Sequence, residues 1–169
     1  MPDLDWPLWP TALFLLYIVG QRLLELAIAK RNTRRLLARG AVEHGAEHYP
    51  VMVLLHTAWV VSLVVLGWNE AVQPFWLALF ALLQIARLWI LLSLGERWTT
   101  RIIVLSEPLV ARGPFRFVKH PNYVLVCFEI AVAPLVLGLI WVAVLFSVLN
   151  AAMLYVRIGV EERALSSLR

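Results

Sequence analysis

The segment Gly113-Pro114-Phe115-Arg116-Phe117-Val118-Lys119-His120-Pro121-Asn122-Tyr123 decides how this chain folds. It is a basic, polar loop that ends in a His-Pro pair and runs directly into an apolar stretch. Gly113-Pro114 marks a turn. Pro121 suits the first turn of a helix, where its missing N–H costs nothing. Beyond it the sequence reads as a span over Pro121–Leu137, a tight turn at Gly138, and a second span over Leu139–Val156. Pro134, one turn before Gly138, offers a kink as the alternative to that split. The second span returns the chain to the side it left. There Arg157-Ile158-Gly159-Val160-Glu161-Glu162 begins 34 residues after Tyr123. Two polar clusters at one end of a membrane hairpin make a candidate site.

Composition agrees with a membrane chain. The 169 residues are 62% hydrophobic and 15% charged, with a mean hydropathy of +0.79. Soluble domains are typically about 45–50% apolar, and a chain this short cannot bury such an excess in its own core. The excess must face lipid. A spanning helix needs about 20 mainly apolar residues. Three further stretches meet or approach that length: Leu8–Ala29, Tyr49–Leu66 and Val72–Leu94. The fold class expected is therefore an all-α integral membrane protein of five transmembrane helices, the last two a tight hairpin. It forms a single membrane domain over residues 1–169. The first apolar run lacks a basic leader and a small-residue cleavage site, and reads as a retained span.

Basic residues set the orientation. Asp3 and Asp5 precede the first span without Lys or Arg. Lys30, Arg31, Arg34, Arg35 and Arg39 follow it, Gly67–Ala71 holds only Glu70, and Arg97, Arg101, Arg112, Arg116 and Lys119 fill the third loop. The positive-inside rule then gives an N-terminus outside and a cytoplasmic C-terminus. The net charge of +4 calls for no nucleic acid, because these residues flank spans and meet anionic headgroups. The eight tryptophans, Trp6, Trp9, Trp68 and Trp98 among them, read mostly as an interfacial belt.

Four charges fall within spans, where each costs roughly 2.5–3.5 kcal/mol near a helix centre. Arg22 and Glu25 lie three apart and can pair on one helix face. Arg87 and Glu129 can pair across the bundle, as a structural tie or as a cavity wall. His56, alone on an apolar helix, reads as a hydrogen-bonded packing residue rather than a ligand. His44, Glu47 and His48 fit no standard zinc spacing, so no metal is expected. Cys127 has no partner for a disulfide or a metal.

The chemistry-bearing residues sit in the two clusters. Free backbone N–H groups near Asn122 and Tyr123, at a helix N-terminus, can bind a carboxylate or a polar ligand edge. His120 stands beside them as a donor. Arg157 and Glu161 are four apart and share a helical face if the helix continues past the membrane. Taken by themselves they read slightly better as an ordinary charged helix end with an internal ion pair.

The ordered set Leu109, Val110, Gly113, Phe115, Lys119, His120, Pro121 and Tyr123, then Arg157 and Glu161, resembles the isoprenylcysteine carboxyl methyltransferase family. It covers about residues 93–165. The resemblance implies an S-adenosylmethionine-dependent methyltransferase of the membrane. It implies that Glu107, Pro108, Leu109, Val110 and Phe115 wall the cofactor and that His120, Pro121, Asn122 and Tyr123 hold it. Glu161 would hydrogen-bond the cofactor, and Arg157 would be the catalytic residue that meets the acceptor. Phe115 replaces a usual Tyr and loses a hydroxyl. Lys119 replaces a usual Arg and loses the planar fork. The first loop, Arg39–Pro50, is similar to a bacterial subgroup associated with O-methylation of long-chain alkylpyrones and alkylresorcinols. That implies a lipophilic enol or phenol as acceptor, with an isoprenylcysteine-type carboxylate as the alternative. It also implies residence in a bacterial inner membrane with the active site facing the cytoplasm. An NADPH-dependent membrane reductase, which carries a similar C-terminal pattern, and a non-catalytic scaffold remain as other readings. No oligomeric state follows.

Overall fold

The computed structural model describes residues 8–108 and 110–166. Among the described residues there are five α-helices: α1 (Trp9–Ala38), α2 (Tyr49–Gly67), α3 (Pro74–Leu94), α4 (Pro121–Val136) and α5 (Ile140–Leu165). All but α5 begin with a proline in the first two positions, where its fixed φ favours the helix. Four helices, α1, α2, α3 and α5, are long and apolar enough to cross a membrane. The fifth expected span, α4, has 16 residues, about 24 Å at 1.5 Å per residue. That is shorter than the ~30 Å hydrocarbon core.

Helix α1 continues to Ala38, so the basic run expected as loop forms its last turns. Two short strands, β1 (Val42–His44) and β2 (Ile102–Val104), pair antiparallel with Val42 opposite Val104. This ribbon departs from a purely helical fold. The β-branched Ile102-Ile103-Val104 suits a half-buried strand and finds its partner in the first loop. It explains why the third loop retains apolar residues. Arg101 fastens the ribbon, with its guanidinium 2.6 Å from Glu43 Oε1 and 4.1 Å from the Tyr49 ring centroid.

The hairpin splits at Gly138. Its φ of +68° suits glycine alone at low cost. The Leu139 amide donates to the Pro134 carbonyl at 2.9 Å, closing the helix end. Pro134 lacks an N–H for the Ile130 carbonyl. The buried Trp59 indole supplies the missing donor at 3.2 Å, as a membrane interior requires. Around this contact lie Phe14, Ile18, Leu63, Phe80, Ala133, Val136, Leu137 and Phe146. Trp59→Phe keeps the apolar ring and orphans that carbonyl. We expect it to destabilise the protein by about 1–3 kcal/mol, read as a lower thermal midpoint in detergent; an unchanged midpoint would refute the role.

A second device ties the helices. Glu129 of α4 is fully buried and receives Arg87 Nε of α3 at 2.6 Å, Arg22 Nη2 of α1 at 2.9 Å and Gln84 Nε2 at 3.1 Å. Glu25 joins through Arg22 at 3.0 Å and Arg87 at 3.1 Å. Both expected pairings exist, merged into one cluster of two cations and two anions. The charges cancel where lipid would penalise any excess.

Candidate functional site

Helix α4 starts at Pro121, and its first turn points into the end of the bundle where α1, α3 and α5 finish. Helix α5 continues past Val156 to Leu165, so Arg157 and Glu161 stack one turn apart. The expected meeting of the two clusters occurs. His120 Nδ1 lies 3.6 Å from Glu161 Oε2, and His120 Nε2 lies 3.6 Å from Glu162 Oε1. Lys119 pairs with Glu162. The His120 ring stacks on Tyr123 with centroids 5.4 Å apart. The site also depends on Gly113. A Cβ there would sit 2.1 Å from Ser93 Oγ, so only glycine brings Phe115 and the His-Pro turn this close to α3.

Arg157 is 5% exposed. Its Nη2 donates to the Thr100 carbonyl at 2.6 Å, its Nε to the Tyr123 hydroxyl at 3.2 Å, and its Nη1 lies 2.8 Å from Met52 Sδ. All three partners are neutral. Among the described residues no carboxylate forms an ion pair with it. The expected helical pair with Glu161 does not form, because the guanidinium reaches back toward α2 and β2. A buried cation without a counter-charge is costly and is poised to receive an anion.

Two cavities meet at this residue. One, of about 150 Å³, is lined by Arg97, Phe115, Lys119, His120 and Glu161 on its polar side. The other, about 280 Å³, runs between α1, α2, α4 and α5 under an apolar wall of Val19, Leu23, Leu26, Val53, Val60 and Val61. Trp98, Thr99, Asn122, Tyr123 and Arg157 line both. Near the junction several buried polar atoms have no hydrogen-bond partner: Trp98 Nε1, His120 Nε2, Asn122 Oδ1 and Glu161 Oε2. Buried polar atoms are ordinarily satisfied, and four orphans around one space fit a polar, multiply hydrogen-bonding ligand there.

Of the other expected site residues, Pro121 is buried at the start of α4. Glu107, Pro108 and Val110 line neither cavity, and Leu109 lies outside the described residues. Glu107 is taken up by Arg39 at 2.7 Å and Arg97 at 2.5 Å. Desolvation opposes its charge, yet the two guanidiniums hold its carboxyl below the usual range. Trp98 is buried at 4% exposure, so it belongs to the site and not to an interfacial belt. Trp6 lies outside the described residues. The sequence reading missed Tyr49, Met52, Thr99, Thr100 and Asn150, and it read His56 as packing although the ring also lines the apolar cavity. The one signal available was that His56 and Asn150 are polar residues inside apolar helices. Among the described residues, no group of His, Cys, Asp and Glu is placed to hold a metal ion.

Residues 76–167 match the profile of the Isoprenylcysteine carboxyl methyltransferase (ICMT) family. The chain is 38% identical over 159 residues to YpbQ, an uncharacterised protein of Bacillus subtilis (strain 168), covering 90% of this chain and 95% of that one. An uncharacterised protein of Haemophilus influenzae is 28% identical over 165 residues, covering 89% and 92% respectively. No solved structure matches.

Proposed function

Because the chain belongs to the isoprenylcysteine carboxyl methyltransferase family, whose members are integral-membrane, S-adenosylmethionine-dependent enzymes, we propose that it methylates an acidic oxygen on a lipophilic acceptor. The acceptor class we assign is a long-chain enol or phenol of the alkylpyrone or alkylresorcinol type. The observation that carries this reading is Arg157, a buried and uncompensated guanidinium at the junction of a polar and an apolar cavity.

The polar cavity suits the cofactor. His120, Asn122, Tyr123, Phe115 and Glu161 would hold it, and their orphaned atoms supply both donors and acceptors. When bound, S-adenosylmethionine supplies a methyl group on a positively charged sulfonium. The Glu161 carboxylate and the stacked faces of His120 and Tyr123 favour a cationic guest. Arg157 stabilises the acceptor's oxygen as an anion and orients it. Arg157 favours the ionised form of an enol or phenol, whose proton leaves to solvent before transfer, and no side chain is assigned as the base. The acceptor's tail lies in the apolar cavity. Leu23 and Leu26 of α1 and Val53 and Val61 of α2 line that cavity and are exposed, which gives lipid access between these helices. The basic ends of α1 and the third loop face the cytoplasm on the positive-inside rule. The polar cavity is lined by the third loop and the end of α5, which on this reading places it beside the cytosolic cofactor supply of a bacterial inner membrane.

The test is turnover of purified protein in detergent, with S-adenosylmethionine and an alkylresorcinol, an alkylpyrone or a prenylcysteine. Methylation of the first two supports the assignment; exclusive methylation of the prenylcysteine transfers the function to its carboxylate. Glu161→Ala is expected to weaken S-adenosylhomocysteine binding roughly 10- to 100-fold, the loss of a charge-assisted contact. Calorimetric titration reads this directly, and unchanged affinity removes Glu161 from the cofactor site.

A further inference from the structure

The apolar cavity is not uniformly apolar. Asn150 projects into it from the middle of α5, two turns before Arg157 on the same face. It is 1% exposed. Its Oδ1 has no partner, and its Nδ2 meets only Cys127 Sγ at 3.8 Å. Across the cavity stands His56, one turn deeper on α2 than the Met52 that touches Arg157. His56 Nδ1 lies 2.9 Å from the Met52 carbonyl. A carbonyl only accepts, so Nδ1 carries the proton and Nε2 of the neutral ring is a bare acceptor. Among the described residues nothing donates to Asn150 Oδ1 or to His56 Nε2. Arg22, Glu25 and Arg87 of the ionic cluster also line this cavity, but Asn150 Oδ1 is a buried acceptor left unfilled and His56 Nε2 a half-buried one, a cost that a donating ligand would offset.

We propose that Asn150 Oδ1, with His56 Nε2 across the cavity as the alternative acceptor, forms a second polar subsite that takes the single proton of a hydroxyl on the acceptor's own body. That hydroxyl would lie about one helical turn, ~5 Å, deeper than the oxygen held by Arg157, as a second hydroxyl meta on the same ring does. The pair selects acceptors with two hydroxyls, the resorcinol type, over equally greasy acceptors with one, including a pyrone, whose second oxygen is a carbonyl and only accepts. Tail length alone is a weak discriminator, because each methylene changes binding only modestly. An unfilled buried acceptor rejects the wrong ligand more strongly. The proposal rests on the methyltransferase reading for the role of Arg157, but it makes its own claim about binding.

The test uses two probes, 5-pentadecylresorcinol and 3-pentadecylphenol, titrated into the cofactor-free protein in detergent and followed by tryptophan fluorescence. The dihydroxy probe is expected to bind about tenfold more tightly. Asn150→Leu and His56→Phe should each erode that ratio by weakening the dihydroxy probe while sparing the monohydroxy one. Both replacements are apolar, and a retained thermal midpoint checks their folding. Equal affinities in the native protein overturn the subsite, whatever the variants do. So does a preference that survives the double variant. If both probes bind equally and both are methylated once S-adenosylmethionine is added, the subsite fails and the enzyme stands. If neither binds nor is methylated, the phenolic acceptor fails and the subsite fails with it.

Discussion

Arg157→Met is expected to lower methyl transfer by roughly a hundred- to a thousandfold, the cost of removing one donor that stabilises an oxyanion. The same variant should bind S-adenosylhomocysteine as the native protein does, since the guanidinium faces Met52, Tyr123 and Thr100 and not Glu161. Its stability is the sharper readout. Arg157 is buried without a counter-charge, so an apolar side chain of similar length removes a desolvation cost and offsets the lost hydrogen bonds. The thermal midpoint should stay level or rise while turnover collapses. That combination marks a residue kept for chemistry. A large fall in the midpoint, or retained turnover, would falsify the assignment. Arg157→Lys should recover little, because an ammonium cannot reach Thr100, Tyr123 and an anion at once with a planar fork.

The intramembrane cluster should behave in the opposite way. Glu129 neutralises Arg87 and Arg22 where no water can do so. Glu129→Leu leaves two guanidiniums facing one remaining carboxylate, Glu25. We expect a loss of about 3–5 kcal/mol, as for other broken buried pairs, with aggregation on extraction into detergent. Arg87→Met added to Glu129→Leu should recover much of that loss, since the pair is then absent instead of half-present. If Glu129→Leu alone melts with the native protein, the cluster is not the tie between α1, α3 and α4. If the double variant is as unstable as the single, charge imbalance is not the cause.

Arg157 and Glu129 are both charges buried at the ends or middle of apolar helices, and composition alone treats them alike. Their surroundings separate them. Glu129 is matched by charges from two other helices, Arg22 of α1 and Arg87 of α3, whereas Arg157 is matched by neutral groups only. The pairings Arg22–Glu25 and Arg87–Glu129 were legible, the first from helical spacing and the second from the cost of lone charges in lipid. Their fusion into one cluster was not, because it depends on the Arg22 side chain of α1 reaching Glu129 on α4. The expected Arg157–Glu161 pair had the right spacing as well. It gave way because the guanidinium finds partners on the loop before β2, on α2 and on α4 instead.

Much of this protein was set by local rules that need no partner. Apolar runs of spanning length, prolines at helix starts, a glycine at the hairpin turn and alternating basic loops dictate a helical membrane chain. Short-range order also placed His120, Asn122 and Tyr123 in one turn and returned Arg157 and Glu161 to the same end of the hairpin. The tertiary structure alone decided what surrounds them. Trp98 and Thr100 arrive on the loop that β1 holds through β2, Met52 and His56 arrive on α2, and Asn150 faces inward only because α5 packs against α2 and α4. These contacts join residues far apart in the chain, and their energy comes from packing and from filling buried polar groups. Neither leaves a periodicity or a spacing that a linear reading can detect.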